Sequence, residues 1–539
     1  MIRTGVALVC LFILGFIILF PIWQPGLYAS HDGEIHVARL AQFTQAILDG
    51  QMPVRWLAAW FDGMGYPVFI YAYSFPYYVG ALIRLLLQTS FVDTLKLLLV
   101  GSFLISGMLQ FFFLRRFFGL TAAFAGAAFF LFAPYRFADL YERAALGESF
   151  ALLFVPALFF ATHRIFGEKK DGILWFGLVV SGFIMTHLIT FALVLPFWFG
   201  YTLVAYRHAF FQKFPHVFFG FVLGLLLSTF SWIPLVFERG YTNADVAYQT
   251  IYRGHFVQFL MLLRSESAIQ LGVGGFSIFV LSAAMIVRRI VKKQSSNTLA
   301  LFFLATTLIA FFLILPIAAG IWDGLSPLQF VVFPWRFLIW IVFAISFLAA
   351  WLVEELLHLG FRRGIVVFVF LSLAVFPSRH FMQPTRFEQK NDTFYLTFPD
   401  PTRLEMYFLP KGISRDYRPA ISERLVIAKG VGEIKLVEDK SGKLTAVVNA
   451  STHVTVLART IFFPGWDGFI DTHPIPIRNE HGLIVFDVPK GLHILELEFQ
   501  ETPVRRVGDF ISLLSLFFVV GWIVRMLPRI KMGKKTIPQ

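Results

Sequence analysis

The residues with the types and spacing for chemistry begin at Ser30-His31-Asp32-Gly33-Glu34-Ile35-His36-Val37-Ala38-Arg39, just ahead of an amphipathic helix expected over 36–49. The Asp-x-Glu spacing brings two carboxylates, Asp32 and Glu34, near one point, and Gly33 lets the backbone converge them. Such a pair can deprotonate a nucleophile, hold a divalent cation, or do both. The same residues also fit a simpler role, in which Ser30 or Asp32 caps the helix and Glu34 complements its dipole. His31 and His36 are candidate substrate contacts, or metal ligands beside Asp32, although no further ligand is evident. Arg39 is a candidate anion contact on the same helix.

A second charged segment, Pro134 to Glu148, holds Arg136, Asp139, Glu142, Arg143 and Glu148. Asp139 and Arg143 are spaced i, i+4 and could pair on a short helix. Five charges between two uncharged apolar runs also suit phosphate or carboxylate chemistry, because Arg grips phosphate with two parallel donors. Asp139 and Glu142 are then the candidate acids, and Arg136, Arg143 and Glu148 the candidate substrate contacts. Further on, Phe333-Pro-Trp335-Arg336-Phe337 offers either a snorkelling Arg beside an interfacial Trp or a second phosphate ligand, with Asp323 nearby. Asp62-Gly-Met-Gly-Tyr-Pro precedes an aromatic run, Tyr66, Phe69, Tyr71, Tyr73, Phe75, Tyr77 and Tyr78. That run is either an interfacial belt or a groove for a sugar ring or a prenyl chain, with Tyr71 a candidate contact. His187 reads as packing between two helices.

The elements that must position these residues are membrane spans. The chain has 539 residues, 57 % of them hydrophobic and 15 % charged, which excludes a soluble or a disordered protein. A span needs about 20 mostly apolar residues to cross roughly 30 Å of hydrocarbon. Twelve runs qualify: 5–22, 94–114, 119–134, 149–163, 172–187, 190–206, 215–236, 271–287, 298–319, 335–356, 364–377 and 508–526. A further run, Tyr71–Leu87, contains Pro76, Gly80 and Arg84; as a thirteenth span it would invert every later loop. Left out as an outer juxtamembrane hairpin, it lets six basic clusters fall on one side. Those cytoplasmic segments, with Arg3, carry 19 of the 46 basic residues and four of the 33 acidic ones. The net charge of +13 is therefore a topology signal, with both termini cytoplasmic, and not a nucleic-acid footprint.

This frame gives a membrane domain over 1–377 with outer loops 23–93, 135–148, 237–270 and 320–334, and a last span and basic tail over 508–539. Between them, 378–507 alternates apolar and polar residues between turn signals, as in Leu444-Thr-Ala-Val-Val and Pro464-Gly-Trp-Asp-Gly, so an extracytoplasmic β-sandwich-like domain is expected. The span midplanes hold almost no ionisable residues, which speaks against an ion-coupled transporter. The single cysteine, Cys10, excludes an internal disulfide. The first apolar run lacks a small-x-small cleavage site and reads as a retained anchor.

A first outer loop with an Asp-x-Glu pair, juxtamembrane helices, an acidic second outer loop and an outward C-terminal domain resemble the GT-C superfamily of integral-membrane glycosyltransferases. More closely, Asp32-Gly-Glu-Ile-His, Tyr141-Glu-Arg-Ala-Ala-Leu-Gly-Glu148, Phe333-Pro-Trp-Arg-Phe337, Glu405-Met-Tyr-Phe-Leu-Pro410 and Pro464-Gly-Trp-Asp-Gly468 look like bacterial YfhO-like membrane proteins. These include proteins labelled 6-pyruvoyl-tetrahydropterin synthase-related, a label that implies no pterin chemistry because no zinc triad is evident. The resemblance implies a polytopic α-helical protein of the inner membrane, with a polyprenyl-phosphate sugar as donor, transfer on the outer face and a glycan, lipid or protein acceptor. It makes Asp32 the first-loop acid and base, Glu34 its partner, and Asp139 or Glu142 the second-loop acid. A divalent cation, Mg or Mn, would sit on Asp32 and Glu34. The alternative is a non-catalytic protein that binds, flips or assembles lipid-linked glycans.

Overall fold

The computed structural model describes residues 2–243, 251–264, 266–294, 297–398, 408–414, 416–417 and 421–526. Positions 405–407 of one motif and the basic tail beyond Met526 lie outside them. The longer helices are α1 (Ile2–Leu19), α2 (Gly33–Leu48), α3 (Phe75–Leu87), α4 (Phe91–Leu114), α5 (Leu120–Leu131), α6 (Leu146–Phe166), α7 (Gly172–Ala205), α8 (Phe210–Leu227), α9 (Thr229–Glu238), α10 (Gly272–Val291), α11 (Thr298–Ile314), α12 (Leu338–His358), α13 (Arg363–Val375) and α14 (Pro503–Met526). Among the described residues, eight helices are long and apolar enough to cross a membrane, or up to ten if each of two bent pairs is one span. The protein is a multi-pass membrane protein.

The twelve expected spans differ from these helices at identifiable breaks. Run 119–134 is α5 followed by Pro134–Glu142 at a 48° bend, and run 298–319 is α11 followed by Pro316–Gly324 at 84°. Both bends fall at a proline, which cannot continue the preceding hydrogen-bond ladder. Runs 172–187 and 190–206 form the single stretch α7, which breaks at His187 (φ −162°, ψ 88°). Run 364–377 is the 13-residue α13. The hairpin expected over 71–88 is Val68–Tyr71 followed by α3. Helix α12 is buried from Leu338 to Val353 on every face, as an apolar helix at the centre of a bundle must be.

The C-terminal part is a β-domain of two antiparallel sheets. Strands β3 (Leu425–Lys429), β6 (Val454–Ile461), β10 (Leu483–Val488) and β9 (Arg478–Glu480) form one sheet. Strands β4 (Gly432–Lys440), β5 (Lys443–Ala450), β11 (Gly491–Phe499), β7 (Trp466–Ile470) and β8 (His473–Ile475) form the other. Period-2 alternation buries Leu444, Ala446, Val448 and Ala450 from β5 and Val454, Val456 and Ala458 from β6, as the sequence pattern requires. A two-stranded ribbon, β1 (Leu27–Tyr28) with β2 (Phe387–Glu388), ties the segment between α1 and α2 to the segment after α13.

The β-domain is fastened to the membrane domain by buried charge. Arg55 donates to Glu501 (3.2 Å), Asp509 (2.7 Å) and the Phe230 carbonyl (2.7 Å). Trp56 packs on Phe463, Trp466 and Phe499, and Gly65 is required beside it because a Cβ there would lie 2.2 Å from the Trp56 ring. Arg505 of α14, fully buried, donates to Glu238 at 2.8 Å and to the Pro464 carbonyl. Removing one partner of a buried ion pair strands the other charge, at a cost of about 3–5 kcal/mol. Arg505→Met is therefore expected to lower the heat stability of the detergent-solubilised protein, followed by the folded fraction on size exclusion. Arg478→Met, at the exposed pair with Asp487, should shift stability by less than about 1 kcal/mol.

Candidate active site

The segment before α2 and the segment before α6 meet through their main chains. His31 N–H donates to the Glu142 carbonyl (3.0 Å) and Asp32 N–H to the Arg143 carbonyl (2.9 Å). Gly33 is needed at this contact, because a Cβ would lie 2.4 Å from Ser30 Oγ. On the other side, the Tyr28 hydroxyl donates to the Leu140 carbonyl at 2.5 Å, and Ala29 N–H to the Arg386 carbonyl. Asp32 occupies the N-cap position of α2 but makes no side-chain cap bond. Its half-buried carboxylate accepts no hydrogen bond from any described residue. Burial pushes the Asp32 carboxyl above its usual range, against the opposing pull of Arg143, Arg39 and His31, while Glu148 adds to the rise.

Beneath Asp32 lies a buried ionic cluster. Glu148, in the first turn of α6, accepts Arg143 Nη1 (2.8 Å) and Nη2 (3.1 Å), Arg336 Nε (2.7 Å) and the Tyr135 hydroxyl (2.8 Å). Arg143 also donates to Asp139 (2.7 Å) and lies over the Trp335 ring, 4.5 Å from its centroid. Arg336 donates to the Val331 carbonyl (2.6 Å) and lies over Phe333. Two non-glycine residues in the left-handed region, Ala144 (φ 52°) and Val332 (φ 68°), sit next to these arginines. Such backbone strain persists only where the surroundings over-determine it, and it gathers at functional sites.

Aromatic and imidazole groups close the cluster on its other side. His36 Nδ1 lies 2.7 Å from the Tyr77 hydroxyl, and burial holds this imidazole well below its usual range, with Arg39 and Arg143 adding to the effect. Tyr77 also hydrogen-bonds Arg39, whose guanidinium lies 5.6 Å from the Trp60 ring. Tyr73 stacks on Tyr77, accepts the Gly147 N–H at 3.2 Å and faces the His187 ring at 5.9 Å.

The expected site residues thus divide. Asp32, His36, Arg39, Arg143, Glu148, Trp335 and Arg336 come together, with Asp139 paired to Arg143 as its i, i+4 spacing allowed. Glu34 forms its ion pair with Lys390, so it turns to the segment after α13 instead of sharing a ligand with Asp32. Glu142 accepts Ser267 Oγ (2.8 Å) and the Ala268 N–H (3.1 Å), pinning the segment before α10. Arg136 does not join the cluster: it lies over Phe103 and Phe130 and donates to Ser106. Tyr71 bonds the Glu238 carbonyl and stacks on Phe408, and His31 is exposed. Among the described residues no group of three or more His, Cys, Asp or Glu side chains could hold a metal ion. Tyr135 was not singled out by sequence, while Tyr73 and Tyr77 were read only within the aromatic run and His187 only as packing; the signal for all four was a polar atom inside an otherwise apolar or aromatic run.

A family model described as a 6-pyruvoyl-tetrahydropterin synthase related domain, a membrane protein, matches residues 69–383, more than half of the chain. The chain belongs to this family. An uncharacterized protein of Lactococcus lactis subsp. cremoris (strain MG1363) is 26 % identical over 187 residues, covering 33 % of this chain and 30 % of that one. Among solved structures, ArnT from Cupriavidus metallidurans bound to undecaprenyl phosphate is 16 % identical over 64 % of this chain and 60 % of its own, at a TM-score of 0.42. The apo oligosaccharyltransferase of Archaeoglobus fulgidus is 11 % identical over 76 % and 61 %, at 0.48. The same oligosaccharyltransferase in complex with Zn and sulfate is 12 % identical over 75 % and 59 %, at 0.43. The chain therefore spans under two thirds of the length of each of these proteins.

Glu148→Ala should strand Arg336 as a buried cation, leave Arg143 with Asp139 alone, and cost about 3–5 kcal/mol. Glu148→Gln, which keeps the shape and one acceptor, should cost clearly less. Melting of the two variants in one detergent separates them, and equal losses would show that the charge does not matter.

Proposed function

We propose that this protein is a glycosyltransferase that moves a sugar from a polyprenyl-phosphate donor to an envelope acceptor, with Asp32 as the base. The observation that carries this reading is a carboxylate free of hydrogen-bond donors beside an anchored pair of arginines. A base must keep its lone pairs for the incoming proton, and a leaving phosphate needs fixed positive charge. The order of the quoted motifs along the chain, which resembles the GT-C enzymes, supports the same reading. The distribution of basic residues supports a site on the outer face of the cytoplasmic membrane, with both termini cytoplasmic and the β-domain extracytoplasmic.

In this mechanism an acceptor hydroxyl attacks the anomeric carbon from the face opposite the phosphate. Its proton passes to the Asp32 carboxylate as the new C–O bond forms. The bond from the anomeric carbon to the phosphate oxygen breaks, and polyprenyl phosphate departs with the electron pair, so the configuration inverts. Arg143 and Arg336 stabilise the developing phosphate charge. Tyr73, Tyr77 and Trp335 flank the sugar, and the β-domain presents the acceptor. The mechanism takes no step through a divalent cation, because Glu34 is engaged by Lys390 and a third ligand is lacking among the described residues.

Asp32→Asn should lower transfer from a labelled polyprenyl-phosphate sugar by about 10²–10⁴-fold while donor binding stays within about threefold. The base acts ionised, so kcat/KM should fall as pH drops through the raised Asp32 pKa, placing the acid limb above the ordinary carboxylate range. The residual rate of Asp32→Asn should lack that limb. Near wild-type transfer by the variant would sink the assignment. Donor binding without any turnover by the wild-type protein would favour a non-catalytic handler of lipid-linked glycans.

A further inference from the structure

Helix α7 runs for 34 residues and leaves helical geometry at one of them, His187, whose backbone is extended. At this break the Thr190 N–H donates to His187 Nδ1 at 3.2 Å, and the Thr190 hydroxyl lies 2.7 Å from the same nitrogen. A main-chain N–H can only donate, so Nδ1 is the acceptor and the ring proton resides on Nε2. Capping of the second half of α7 therefore accounts for Nδ1 and leaves Nε2 unexplained.

The Nε2–H donor has no partner among the described residues, although His187 is only 8 % exposed. It sits on the ring edge that Gly147 leaves open: a Cβ on Gly147 would lie 3.0 Å from Cδ2, the atom bonded to Nε2. Tyr73 lies on another side of the ring, and Arg336, Glu148 and Arg143 act on it electrostatically. A donor without a protein partner, on a ring that Arg336 and Arg143 act on, suits an acceptor that is anionic and arrives from outside the chain.

We infer that His187 donates its Nε2–H to an oxygen of a bound phosphate, the third fixed donor of a site that Arg143 and Arg336 begin. The inference rests on the proposed donor chemistry for the identity of that phosphate, whether lipid-borne or free. A rigid donor at a helix break is positioned before the ligand arrives, so no side-chain ordering is required on binding.

The test is equilibrium binding to the purified full-length protein in detergent, with decaprenyl phosphate and, in a separate arm, inorganic phosphate as probes. His187→Phe keeps the ring volume and removes the donor; His187→Gln keeps an N–H at similar reach. The Phe variant should bind at least about tenfold more weakly, as loss of a charge-assisted hydrogen bond implies, and the Gln variant within about threefold of wild type. Gly147→Ala, which puts a methyl group against the donor edge, should weaken binding by an independent route and serves if the Phe variant does not fold. Dependence on His187 in both arms identifies the phosphate group itself as the ligand, and dependence in the decaprenyl arm alone identifies a lipid-borne one. Unchanged binding by a folded Phe variant, equal loss by Phe and Gln, or no binding of either probe by wild type would each overturn the inference. The assay needs no turnover, so a wild-type protein that binds through His187 but never transfers sugar defeats the glycosyltransferase reading alone.

Discussion

One carboxylate organises this molecule. Glu148 takes four hydrogen bonds from three side chains of two separate segments, 135–143 and 336. Without it, Arg336 would be a buried cation with no carboxylate partner, and Arg143 would be left with Asp139 alone. With it, the segment before α12 is locked to the segment before α6, Trp335 is pressed on Arg143, and the main-chain carbonyls of Glu142 and Arg143 are held where the first loop can meet them. The position of Asp32 is downstream of this arrangement, since its own N–H bonds the Arg143 carbonyl.

The same arrangement separates two jobs that charged groups commonly share. Glu148 and Asp139 neutralise the arginines from below, so the cations can be fixed without Asp32. Asp32 is left half-buried with its carboxylate unclaimed, the state in which a group can titrate and accept a proton. Glu34 and Glu142 are spent on tethering Lys390 and Ser267.

Much of this was legible in the sequence, for physical reasons that differ by residue. Apolar runs obey the bilayer, so most of the long apolar helices could be read directly. Alternation in 444–448 and 454–458 obeys the pleat, so the β-domain was visible too. Charges crowded into 135–148 had to be neutralised locally, which made the cluster foreseeable as a set. Which acid pairs with which base was not, because Glu34 finds Lys390 and Arg55 finds Asp509 across hundreds of residues. Bends at Pro134 and Pro316 change span counts without changing composition, so run length overestimated continuity. His187 illustrates the opposite failure: its environment is apolar in sequence, and only the helix break shows that one nitrogen is left over.

The β-domain is held at both of its ends. Ahead of it in the chain, the β1–β2 ribbon holds the segment after α13 against the segment before α2, and the domain is left through α14, which packs along α9 and α8. A domain on a single tether sweeps a volume and meets its ligand by chance encounter; one suspended at two points, with Arg55 and Trp56 as a third, keeps a fixed aim. The orientational entropy is lost once, during folding, and is not charged again to each binding event. Whatever this domain presents to the membrane surface, it presents in a constant pose, and selectivity can then reside in distance and angle as much as in contact chemistry.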